Sequence, residues 1–116
     1  SVTETLAGYW RVRIGSMARA LENQCITAMS SVVGAADWSE ALGQSFGAGG
    51  IFCPPDRGFP PTGILGLREV NAPGWTIAEA DLAQVAEVRA DGIVLNRRDW
   101  QDQIGRDGKA INVALR

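Results

Sequence analysis

The chemistry open to this chain is narrowed first by a residue type it lacks. None of its 116 residues is histidine. That removes Ser-His-Asp and Cys-His arrangements within the chain and weakens any zinc or iron site, so no metal ligand is assigned. Two cysteines remain, Cys25 and Cys53, with one lysine, Lys109, in a polar stretch. Cys25 follows a helical pattern and opens an apolar stretch, with no Lys nearby to lower its pKa. Cys53 precedes two prolines. Both read as free, buried thiols of a reducing compartment, which points to the cytoplasm. Arg19 and Glu22 lie three apart, within reach of each other on a helix. They read as an ion pair that anchors the helix or braces a neighbouring active site. Asn23 follows at the helix end. The run Gly47-Ala48-Gly49-Gly50 lacks the Lys-Ser/Thr of a P-loop and the spacing of a dinucleotide fingerprint. Close backbone packing accounts for it better than a phosphate cradle.

Composition bounds the partners. The net charge is -2 and no Lys/Arg cluster combines with aromatics, so nucleic acid is not expected. No uncharged apolar run approaches the roughly 20 residues of a membrane span. The opening residues are polar, with Glu4 among them, and do not resemble a signal peptide. The length suits one small domain, with roughly 65% of the extended-chain surface buried on folding.

The elements that must position these residues can be read along the chain. Thr5 is placed to cap a helix over 7–22. Trp10, Ile14, Met17 and Leu21 share one face, expected to be core. Tyr9, Val12 and Ala20 form a second apolar edge, and Gly15 and Ala18 allow close approach of another element. Residues 25–33 read as a strand buried on both faces, ended by Gly34. A short helical turn is expected over 38–42. Residues 46–53, 64–70 and 75–80 read as further strands, joined by turns at Pro54-Pro55-Asp56-Arg57-Gly58 and Asn71-Ala72-Pro73-Gly74, in an antiparallel meander. Asp81 should cap a helix through about Arg89, with Leu82, Val85 and Val88 inward and Gly92 as its stop. A polar tail, 101–116, is either free or laid across another subunit.

Several pieces together resemble the nitrilase (carbon–nitrogen hydrolase) superfamily. They are Gly8-Tyr9-Trp10-Arg11-Val12-Arg13, Ala18-Arg19-Ala20-Leu21-Glu22-Asn23-Gln24, Val33-Gly34 and Gly47 to Pro54 with Asp56. Gly74-Trp75, Ala80-Asp81-Leu82 and Asn96-Arg97-Arg98-Asp99-Trp100 complete the set. The Arg-Ala-Leu-Glu-Asn-Gln piece is the most specific. The resemblance implies an α+β chain, helix–strand–antiparallel meander–helix, forming the C-terminal part of a four-layer α-β-β-α sandwich. Residues 1–100 would be the C-terminal part of such a hydrolase domain.

The family hydrolyses amide, carbamoyl or nitrile C–N bonds with a Cys-Lys-Glu set and no metal or organic cofactor. The resemblance places those three residues upstream of this chain, so no catalytic residue is assigned here and the isolated chain is expected to be inactive. It implies a bracing or structural role for Arg19, Glu22 and Asn23, and a substrate-pocket wall at Met29, Ser30 and Ser31, although core packing also suits that strand. It further implies a homo-oligomer formed through helix 7–22. A non-catalytic half-domain that self-associates or docks onto a partner protein is the alternative. An unrelated small α+β binding domain is a third reading.

Overall fold

Thr5 begins the first helix as its spacing predicts. The backbone there is extended, and the hydroxyl accepts a hydrogen bond from Gly8 N at 3.0 Å. The helix, α1, runs Leu6–Asn23 and ends when Gln24 turns left-handed at φ 45°. The computed structural model describes residues 1–103. They form an α+β fold of three helices and one three-stranded antiparallel sheet, built from β1 (Thr27–Met29), β2 (Gly50–Phe52) and β3 (Ile64–Leu67). β2 is central. It pairs Ala28 with Ile51 on one side and Ile51 with Gly66 on the other, and the β2–β3 register slips between Ile51 and Phe52. Residues 40–42 make the expected helical turn. The second helix, α2 (Leu82–Asp91), is capped by Asp81, which accepts from Ala83 N and Gln84 N, and it stops at Gly92. A single turn, α3 (Asn96–Asp99), follows.

α1 lies across one face of the sheet. Tyr9 and Ala20 meet Met29, Ala48 and Phe52 there, with Val12, Met17 and Ile64 at the margin. Phe52 is the centre of this core, and its ring covers Gly50, where a Cβ would stand 2.5 Å from the ring. The glycine run is thus a packing feature, as its residue types suggest. The other sheet face carries Ala28, which is exposed, and Ile51, which is half-buried.

Four expectations are corrected. The face of α1 that enters the core is the Tyr9/Val12/Ala20 edge; Trp10, Ile14 and Leu21 are exposed, and Ile14 is 60% so. Tyr9 and Ala20 pack against Met29, Ala48 and Phe52, and the Thr27 hydroxyl fastens the helix by donating to Ser16 O at 2.9 Å. Residues 25–33 form only the short strand β1. Beyond Met29 the ladder is interrupted, because Val32 N donates to Ser1 O, and Phe46 N to Thr3 O. Residues 75–80 are no strand. The Arg68 guanidinium takes the carbonyls of Ala72, Pro73 and Trp75 at 2.9–3.3 Å, removing one ladder acceptor. Thr76 and Ala78 then sit over Gly66 while Trp75 and Ile77 point to solvent. Leu82 is likewise exposed, leaving Val85 and Val88 as the inward side chains of α2. The tail assigned to 101–116 lies, from residue 104 onward, outside the described residues.

Because Phe52 is fully enclosed, Phe52→Ala is expected to cost about 3–5 kcal/mol of stability. Urea unfolding of the two proteins checks this; a loss no larger than that of a surface substitution would contradict the core assignment.

Candidate functional site

The last turn of α1 brings Arg19, Glu22 and Asn23 to one surface. Arg19 Nη1 lies 3.1 Å from Glu22 Oε2, and Asn23 Nδ2 donates to Arg19 O at 3.1 Å. The ion pair is open to solvent on both sides, so it fixes side-chain geometry more than it stabilises the fold. These three residues form one wall of a groove of about 920 Å³. Asn96, Arg97 and Trp100, from α3 and the turn after it, form the facing wall. Arginine, amide and indole groups at such a surface can bind polar or anionic groups. The predicted wall residues Met29, Ser30 and Ser31 lie elsewhere. Met29 is buried in the core beneath α1, Ser30 is exposed, and the Ser31 hydroxyl meets that of Ser1 at 2.9 Å.

Two buried polar residues decide where the second wall stands. Asp56, in the turn after β2, is 7% exposed. Its carboxylate accepts from Arg57 N at 2.7 Å, Ile93 N at 2.9 Å and Val94 N at 3.1 Å. Burial pushes its carboxyl upward, but the N–H groups of Ile93, Arg57 and Val94, with the nearby Arg57 charge, outweigh that and hold it below the ordinary carboxylate value. Gln24 is fully buried. Its Nε2 donates to Val88 O at 2.8 Å and to Val94 O, its backbone carbonyl accepts from Arg89 Nε at 2.8 Å, and its side-chain oxygen has no partner. Both stand in pieces that carry the resemblance, Gln24 at the end of Arg-Ala-Leu-Glu-Asn-Gln and Asp56 in the Pro-Pro-Asp turn, but the sequence assigns neither a role, because it names no partner so distant along the chain.

Both cysteines are free thiols. Cys53 is buried, and burial pushes its thiol upward against a smaller lowering by a backbone hydrogen bond, so it is a poor nucleophile at neutral pH. Cys25 is half-buried, with its thiol 3.7 Å from Arg19 O. Among the described residues, no group of three His, Cys, Asp or Glu side chains could hold a metal ion. No helix among them is long and apolar enough to cross a membrane.

No family model matches the chain. No solved structure matches it. It is similar to the probable hydrolase YhcX of Bacillus subtilis (strain 168), at 37% identity over 102 residues. That match covers 88% of this chain and 20% of YhcX, so the chain spans about a fifth of the length of the curated relative.

Asp56 holds a lowered carboxyl in the folded protein, so its contribution is present above the unfolded value of about 3.9 and is lost as pH falls through the folded value. Asp56→Asn should therefore lower stability by about 2–3 kcal/mol near pH 7, with the gap to the native protein closing in acid. Urea unfolding across that range checks the sign; a gap that widens in acid would contradict it. Arg19→Ala should cost only about 0–1 kcal/mol in the same assay.

Proposed function

We propose that this chain is part of a hydrolase of the nitrilase superfamily, contributing its C-terminal sheet, helix layer and subunit surface. The observation that carries the reading is the similarity to a probable hydrolase over 88% of the chain. That span takes in most of the segments that resemble the superfamily. The fold is compatible with it: one helix layer on one antiparallel sheet is half of an α-β-β-α sandwich. The part of the far sheet face that Thr76 and Ala78 leave uncovered, with Ala28 exposed and Ile51 half-covered, is where a second sheet would pack.

In this reading the reaction is acyl transfer to a thiolate supplied by the rest of the protein. The thiolate attacks the carbon of an amide, carbamoyl compound or nitrile, a carboxylate moves protons, and an ammonium group stabilises the anionic intermediate. Nitrogen departs as ammonia or an amine, after one water has added in the case of a nitrile, and a further water releases the acid. The buried Cys53 and the half-buried Cys25 are not that thiolate. They stay reduced in a cytoplasmic setting. No metal or organic cofactor is required.

The exposed stripe Trp10, Ile14 and Leu21 would meet a second copy of the chain. The small-residue edge of Gly15 and Ala18 beside that stripe would let the two helices approach closely. Gly15 has open space where a Cβ would stand, which permits that approach. The same stripe favours a second reading, a non-catalytic half-domain that self-associates or docks onto a partner.

The test uses the whole protein that contains this chain. Ammonia release from a panel of simple amides, carbamoyl compounds and nitriles is expected, with abolition by a thiol alkylating agent. The Cys25→Ser/Cys53→Ser double variant should retain that activity and its sensitivity to alkylation. No release from any class would favour the docking reading, and loss of activity in the double variant would overturn the assignment of the nucleophile elsewhere. Ile14→Asp should shift the sedimentation of the protein from dimer to monomer; an unchanged mass would remove α1 from the interface.

A further inference from the structure

α3 and the turn that follows it contribute no buried residue. Burial of their own side chains therefore does not hold them where they are. Leu95, before α3, provides no side-chain cap. The position of α3 is inherited from residues 88–94, which Asp56 and Gln24 grip by the backbone. Gly92 makes room for that grip, since a Cβ there would stand 2.7 Å from Asp56 Oδ2.

We propose that α3, with Trp100, is a hinged flap over the groove beside Arg19 and Asn23, and that the Asp56 carboxylate is the latch that keeps it closed. An ionised carboxylate accepts all three N–H groups. A protonated one turns an O–H donor toward N–H donors and leaves at least one of them without a partner. The turn at 92–95 is then freed, and the wall formed by Asn96, Arg97 and Trp100 moves with it.

The charged groups around the latch are already engaged. Arg57, on the same turn, reaches Asp91 of α2 at 3.3 Å. Arg89 of α2 is held by the Gln24 carbonyl, and Arg98 of α3 pairs with Asp99 at 2.7 Å. No side chain among them hydrogen-bonds the Asp56 carboxylate, so the latch responds to its own proton. Because its N–H partners favour the ionised form, the flap is closed at neutral pH and opens in acid.

Amide hydrogen exchange on the chain, followed residue by residue, tests this. The discriminating amide is Asp99 N, which donates to Leu95 O within the flap and does not touch Asp56. In Asp56→Asn at neutral pH it should exchange roughly ten-fold faster or more through local opening, while Cys53 N, in the core, changes only by the global loss of stability that urea unfolding measures. Faster exchange at Ile93 and Val94 alone, with Asp99 unmoved, would overturn the flap. A second measurement needs no variant. The Asp56 carboxyl resonance and the Trp100 indole N–H of the native protein should titrate with one midpoint, and separate midpoints would overturn the latch.

Discussion

The backbone of Val94 is held at both of its polar groups by side chains far away in sequence. Its N–H goes to the Asp56 carboxylate and its C=O to the Gln24 carboxamide. Through that one residue the end of α1, the turn after β2 and the end of α2 are tied together. A buried carboxylate and a buried amide N–H are costly unless satisfied, so the Asp56 carboxylate and the Gln24 Nε2 restrict the fold to arrangements that supply their partners, although Gln24 Oε1 stays unpaired. The left-handed turn at Gln24 belongs to the same constraint. It closes α1 on Ala20 O and Leu21 O and at the same step turns the side chain toward Val88. The groove beside Arg19 is a consequence, since α3 stands where this tie leaves it.

The hydrophobic part of the fold is thin by comparison. One helix covers one face of three short strands, and Tyr9 and Phe52 are the largest fully buried side chains. Among the described residues, apolar surface remains on the outer stripe of α1 and on the far face of the sheet, with Trp75 and Ile77 beside it. A layer of this kind gains most when a second layer covers it. The hydrolase reading assigns one surface to the second sheet of a sandwich and the other to a second copy, which gives each a use.

Burial keeps the Cys53 thiol raised, the Arg19–Glu22 pair is open to solvent, and the Asp56 carboxylate is spent on backbone N–H groups. A carboxylate so fully engaged has little capacity left for moving protons.

Local signals determined much of the chain. Thr5 and Asp81 marked the two long helices because a short polar side chain satisfies the free N–H groups of a first turn, whatever surrounds it. Gly92 marked a stop, the glycine run marked close packing, and the spacing of Arg19 and Glu22 placed them together because a helix fixes that geometry. Tertiary structure decided what depends on partners distant in sequence. Two apolar edges of α1 were legible, but which one enters the core was set by Thr27, Met29 and Phe52. The strands expected at 25–33 and 75–80 lost their ladders to Ser1, Thr3 and Arg68, since a backbone carbonyl or N–H already bonded is unavailable for pairing. Gln24 and Asp56 look like ordinary surface polar residues in sequence. Only the folded chain brings the backbone of 88–94 to them, and that proximity makes them the residues on which the groove depends.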